Sequence, residues 1–137
     1  MIYEVSIKRT IVTEDGMNKN VSEKYFVENM ELCAEVEARM LEEFNGECEC
    51  TSIKQSSVRE FINVKDDSLC HIFLAKLEEV FINENTGEEK TTKYVIALFE
   101  NEVETATKRV VEYIKGGMGD LRIVSIKKTK FIDLLNK

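Results

Sequence analysis

The chain has 137 residues, 43% of them hydrophobic and 33% charged, with no proline, no tryptophan and a formal net charge of −7. That length limits it to one domain or to two small repeats sharing a core, and no apolar run approaches the roughly 18 residues that a membrane-spanning helix requires. The acidic balance argues against a broad phosphate-driven grip on duplex DNA, while leaving room for a local basic stripe.

Met1-Ile2-Tyr3-Glu4-Val5 opens directly as a strand, without a basic region or a long apolar stretch. A signal peptide is therefore not expected, and the expectation is a cytoplasmic protein with reduced thiols and no membrane association. From Tyr3 to Val12 the pattern alternates, with Tyr3, Val5, Ile7 and Ile11 on one face, as in a half-buried strand. Thr13 to Asn20, with Asp15-Gly16 at its centre, predicts a turn, and Ser22 to Glu28 the return strand. Cys33, Val36, Met40 and Phe44 then form one apolar stripe at helical spacing. Asn29 is the expected N-cap and Asn45-Gly46 the expected stop. Glu49 to Val64 is too long for one ordinary strand and has Gln55-Ser56-Ser57 in its middle, which predicts two short strands or one bent by a bulge.

The same order then recurs. Ile72 to Ile82 predicts a strand, Asn83 to Lys90 a turn, Thr91 to Leu98 the return strand, and Val103, Ala106, Val110 and Ile114 a second helical stripe. Leu121 to Leu135 carries Lys128-Thr129-Lys130 in its middle and reads like the segment after the first helix. Ser52-Ile53-Lys54 recurs as Ser125-Ile126-Lys127, seventy-three residues on, and Lys24-Tyr25 is echoed by Lys93-Tyr94. The predicted fold class is α+β: a tandem pseudo-two-fold repeat of ββαβ(β) units, residues 1–66 and 67–137, with antiparallel sheets each backed by one helix and one compact domain overall. The stripe residues Val36, Met40, Phe44, Val103, Val110 and Ile114 are the expected core. Read out of phase, Thr51 to Ile114 gives a four-stranded antiparallel meander followed by a helix.

Glu23-Lys24-Tyr25-Phe26-Val27, Ala34-Glu35-Val36-Glu37-Ala38-Arg39, the two Ser-Ile-Lys strands and Phe131-Ile132-Asp133-Leu134 carry a resemblance that covers nearly the whole chain. In these segments the chain resembles a family of small uncharacterised proteins of gut Bacteroidetes and their phages, known as a domain of unknown function. That resemblance implies no particular activity. The out-of-phase unit is also similar in element order to the PC4 and Whirly single-stranded DNA-binding folds, an analogy of topology alone.

Cys48 and Cys50, spaced to share a strand face, could in principle join Cys70 and His71 as a metal set. The spacing departs from the usual zinc pairs, and neighbours Cys70 and His71 would face opposite ways on a strand, so neither metal nor cofactor is expected. Gly116-Gly117-Met118-Gly119 follows a helix instead of preceding one, which predicts a helix stop and not a phosphate loop. No nucleophile, base and orienting group converge in the sequence, and the expectation is a non-enzymatic binding module.

The first functional expectation is a sheet-based single-stranded nucleic-acid-binding protein of a phage or mobile element. Lysines would track phosphates and aromatics would stack on bases, with Lys24, Tyr25, Lys54, Arg59, Lys93, Tyr94, Lys127 and Lys130 as candidate residues. The alternative is a protein-interaction module, such as a phage-encoded inhibitor or assembly factor, that uses its acidic first helix or a sheet edge. Long antiparallel strands without proline also predict a homo-oligomer.

Overall fold

The structure, a computed structural model, describes residues 1–116 and 120–136. Its elements are β1 (Ile2–Val12), β2 (Asn18–Glu28), α1 (Cys33–Glu43), β3 (Glu49–Gln55), β4 (Val58–Phe61), β5 (His71–Ile82), β6 (Glu89–Glu100), α2 (Val103–Lys115), β7 (Asp120–Lys128) and β8 (Phe131–Leu135). The breaks at Ser56-Ser57 and Thr129-Lys130 fall in the polar patches noted above, so each long post-helical segment is two strands and not one bent strand.

The chain divides into two compact units, Met1–Ser56 with Lys130–Lys137, and Ser57–Thr129. In the first unit the sheet order is β3-β1-β2-β8, and in the second it is β4-β6-β5-β7. β1 is antiparallel to β2 and β3, and β5 to β6 and β7. β8 lies parallel to β2, and β4 parallel to β6. The two copies therefore exchange their last strands: each ββαβ unit is completed by the fourth strand of the other copy. The sheets are mixed, not antiparallel throughout as the sequence suggests, and the compact units do not follow the serial division at residue 66. The meander expected between Thr51 and Ile114 does not form, because β3 and β4 belong to different sheets.

The repeat is exact enough to reproduce irregularities. In the first sheet Ser6 pairs with Ser52 and Ile7 with Cys50, leaving Thr51 as the extra residue of a bulge. In the second, Lys76 pairs with Ser125 and Leu77 with Ile123, leaving Val124 as the extra residue. A bulge bends its strand and raises the local twist. After it, β3 ends with the Ser56 N–H donating to the Ile2 carbonyl at 2.8 Å, and β7 with the Thr129 N–H donating to the Ile72 carbonyl at 2.9 Å.

Each helix covers one face of its own sheet. In the first unit Tyr3, Val5, Ile7, Tyr25, Val27, Met30, Val36, Met40 and Leu135 form the buried cluster, with Phe44 packed on it. In the second, Phe73, Ala75, Leu77, Ile96, Leu98, Ala106 and Val110 do so, with Ile114 on the margin. Val103, expected in this core, is 49% exposed, because it occupies the first turn of α2, ahead of the buried stripe. Cys33 is likewise exposed at the first residue of α1.

Asn29 is not the N-cap. Leu32 is, without a side-chain cap. Asn29 instead turns the chain with φ 63°, a conformation asparagine tolerates better than most residues, and its Nδ2 donates to Asn136 Oδ1 at 2.7 Å. The expected stop is real: Asn45 and Gly46 have φ of 53° and 79°, and the Gly46 N–H donates to the Leu41 carbonyl at 2.7 Å.

Two outcomes follow. Met40 is fully buried, so Met40→Ala should cost about 2–5 kcal/mol in urea unfolding, whereas the more exposed Leu41→Ala should cost under about 1 kcal/mol. Truncation after Thr129 removes β8 from the first sheet. Hydrogen exchange should then show lost protection in β2 and α1 while β5 and β6 stay protected, the reverse of what a serial pair of units would show.

Candidate functional site

Neighbouring residues on a strand point to opposite faces, and this decides most of the candidate positions. Tyr25 lies on the helix-bearing face of its sheet. It is 6% exposed and its ring meets that of Phe44 edge-on at 5.7 Å between centroids. Burial, with the Glu23 carboxylate adding to it, pushes its phenol up to about 12. Tyr25 is a core residue with no free ring face for a base. Lys24, beside it, lies on the other face, exposed, with its ammonium 6.0 Å from the ring centroid of Phe131. Phe131 in turn stacks on Phe26 at 3.9 Å.

Tyr94 is also on a helix-bearing face, half-buried, with the Arg59 guanidinium 4.9 Å from its ring centroid. Lys93 is exposed on the opposite face, its Nζ 3.9 Å from a Glu78 oxygen. Lys54 approaches Glu4 at 4.0 Å, and Lys127, paired with Leu74 on β5, is exposed. Lys130 is exposed in the break between β7 and β8. The structure thus separates the lysines from the tyrosines. On the helix-free face of the second sheet it gathers Lys76, Lys93, Arg122 and Lys127. There Glu78 also receives a hydrogen bond from Arg122 Nε at 2.8 Å. A shallow cavity of about 420 Å³ opens on that face beside Ser57, Lys76, Lys93, Val95 and Val124.

Lys24-Tyr25 and Lys93-Tyr94 are not equivalent positions. Val5 pairs with Tyr25, while its counterpart Ala75 pairs with Ile96; Tyr94 instead faces Leu77, as Glu23 faces Ile7. The two Lys-Tyr pairs are two residues out of step, a slip that preserves the faces and so escapes notice in the sequence. Lys54 and Lys127 are true counterparts, opposite Glu4 and Leu74.

The larger cavity, about 500 Å³ and open to solvent, lies on the helix-bearing side of the second unit. Arg59 from β4, Glu79 from β5, Tyr94 from β6, Glu112 and Tyr113 from α2, and Leu121 from β7 line it. The Tyr113 hydroxyl donates to Glu60, and that bond, helped by burial, pushes the phenol up to about 12. Of these residues only Arg59 and Tyr94 were singled out by sequence. The rest come from elements far apart in the chain, and no local pattern marks them.

Cys48 and Cys50 belong to the first unit and Cys70 and His71 to the second. Among the described residues no group of three or more His, Cys, Asp or Glu side chains is placed to hold a metal ion. Burial raises both Cys48 and Cys50, the latter to about 11, so they remain thiols. Gly117, Met118 and Gly119 lie outside the described residues; Gly116 is the C-cap of α2. No described helix is long and apolar enough to cross a membrane.

These features define an α+β protein of two strand-exchanged ββαβ units, each a mixed four-stranded sheet with one helix. The chain belongs to the family described as Domain of unknown function (DUF4494), whose model matches residues 1–137. No curated protein and no solved structure matches it.

At the joint between β6 and α2, Glu100 is 5% exposed. Burial works against its charge, but hydrogen bonds from Arg109 and from the Asn101 N–H outweigh it and hold the carboxyl below its ordinary value of 4.5. A depressed carboxyl contributes stability above its unfolded value and loses it as pH falls towards the folded value. Glu100→Gln should therefore flatten the acid limb of the stability profile below about pH 4.5, measured as the urea midpoint against pH.

Proposed function

We propose that the chain is a non-enzymatic protein-interaction module that accepts an extended, basic segment of a partner along the free edge of β6. One observation carries this reading. β4 pairs with β6 only between Val95 and Ala97, although β6 begins at Glu89. Among the described residues no strand pairs with that side of Glu89–Tyr94, and Glu89–Lys93 is exposed throughout. An open run of backbone donors and acceptors is a template for a further strand. The arm formed by residues 78–93 carries Glu78, Glu79, Glu84, Glu88 and Glu89 against Lys90 and Lys93, which favours a basic partner. Phe81 and Ile82 near its tip are 49% and 67% exposed and offer apolar contact.

The lysines support a second reading, single-stranded nucleic-acid binding through phosphates without aromatic stacking, since Lys76, Lys93, Arg122 and Lys127 share a face.

Peptides selected from a random displayed library on the immobilised protein should be basic and extended. Successive N–H groups of a strand point to opposite sides, so of Thr91→Pro and Thr92→Pro one removes an edge donor and the other a β5–β6 bond. The edge variant should keep its unfolding midpoint and lose the selected peptides. Equal peptide binding by both variants and wild type would remove the proposal. Dimers in light scattering, abolished by the same edge variant, would make a second copy of the chain the partner. Binding of an oligo-dT strand, with a salt slope of about −0.7 per phosphate contacted that shallows in Lys93→Gln, would favour the second reading instead.

A further inference from the structure

We infer that the groove beside Tyr94 binds an alkylammonium group, the head of a lysine side chain or of a free polyamine. This inference goes beyond the strand-addition reading and does not depend on it. The groove is lined by the acidic residues Glu79 and Glu112 and by the aromatic residues Tyr94 and Tyr113, with Glu60 held at its margin by the Tyr113 hydroxyl. Among the described residues neither Glu79 nor Glu112 forms an ion pair. Among the described lining residues the one cation is Arg59, set against Glu79 and Glu112 with Glu60 at the margin, so the groove carries a net negative charge.

Arg59 itself shows what the aromatic wall attracts. Its guanidinium sits 4.9 Å from the Tyr94 ring centroid, within the range in which a ring face draws a cation. The phenols stay neutral: hydrogen bonding to Glu60 and burial push Tyr113 to about 12, and burial raises Tyr94. Two neutral rings and unpaired carboxylates suit an ammonium, which has three donors and no acceptor. Leu121 supplies an apolar wall along which an alkyl stem can lie while its charged end meets the carboxylates. The opening of about 500 Å³ leaves space for such a group without displacing α2. A divalent metal fits less well, since no set of three ligating side chains converges there among the described residues. An anion would meet net repulsion.

Arg59 therefore acts as a resident competitor. It covers part of the Tyr94 ring and offsets part of the charge, and its removal should strengthen cation binding. This prediction runs opposite to ordinary damage by mutation.

The test is a titration followed by the ring resonances of Tyr94 and Tyr113 in the intact protein. The probes are cadaverine, the capped peptide acetyl-Gly-Lys-Gly-amide, and the same peptide with norleucine replacing lysine. Saturable shifts are expected with one or both cations and not with norleucine. Glu79→Gln and Glu112→Gln should each weaken binding about two- to fivefold, the range of partly exposed ion pairs, and Arg59→Gln should tighten it. A tighter cadaverine complex would assign the site to free polyamines, and a tighter peptide complex to a protein lysine; either supports the inference. Three results would overturn it: no saturable shift with either cation, equal binding of the norleucine peptide, or weaker binding in Arg59→Gln. If the strand-addition reading fails while these shifts persist, the groove stands alone as a small-cation site.

Discussion

The structure depends on covering the outer edge of the second strand in each hairpin. A ββαβ unit places its third strand beside the first, so β2 and β6 are left with one side open. Such an edge carries unpaired backbone groups and invites uncontrolled pairing. Here β8 runs beside β2 from Lys24 to Val27, and β4 beside β6 from Val95 to Ala97. Each capping strand comes from the other copy of the repeat. Neither unit is complete as a continuous stretch of chain, which links their folding through connectivity alone. Short parallel pairs are weak elements on their own, and side chains reinforce these. Phe131 stacks on Phe26 in one unit and Phe61 on Phe99, at 5.4 Å, in the other. Arg39 donates to the Asn136 carbonyl at 2.7 Å, while Asn63 exchanges two hydrogen bonds with the Phe99 backbone at 2.7 and 2.8 Å.

The covering is partial, and the uncovered remainder is what makes the second unit interesting. β4 stops short of the arm, and at the place where β6 loses its neighbour, Arg59 of β4 folds over Tyr94 of β6. The free edge and the carboxylate groove therefore adjoin. Chemistry belonging to an edge, with its demand for backbone partners, and chemistry belonging to a groove, with its demand for a cation, meet within one element. Each demand can be satisfied separately, and a lysine-bearing strand would satisfy both.

Much of the fold is legible in the sequence because it is written in local periods. Alternation locates β1, β2, β5 and β6, the helical stripes locate α1 and α2, and polar patches locate the breaks after β3 and β7. The repeat is legible too, down to Ser52-Ile53-Lys54 and Ser125-Ile126-Lys127 just past their bulges. The exchange of β4 and β8 is not. Those strands have only four and five residues, and nothing in such a short segment specifies which of two similar edges it will join. The two-residue slip between the Lys-Tyr pairs is hidden for a related reason. A strand pattern has period two, so a shift by two leaves every side chain on its expected face.

That same period undoes the stacking site. A lysine and a tyrosine adjacent on a strand cannot serve one surface, and the tyrosine, being the more apolar, goes to the helix. Tyr25 does so completely. Tyr94 follows only in part, because the structure opens beside it, where Arg59, Glu79, Glu112 and Tyr113 come together from three separate elements. A shift of two residues along the strand therefore makes the difference between a core aromatic and the wall of a groove. Glu23 occupies in the first unit the position that Tyr94 occupies in the second, and there it pairs with Arg9, which lies 5.1 Å from the Phe44 ring. At this place in the fold both units set an arginine against an aromatic ring beside a carboxylate. In the first unit the arginine is tied to Glu23. In the second the carboxylates outnumber the guanidinium, and the surplus charge is what distinguishes a closed structural contact from an open site.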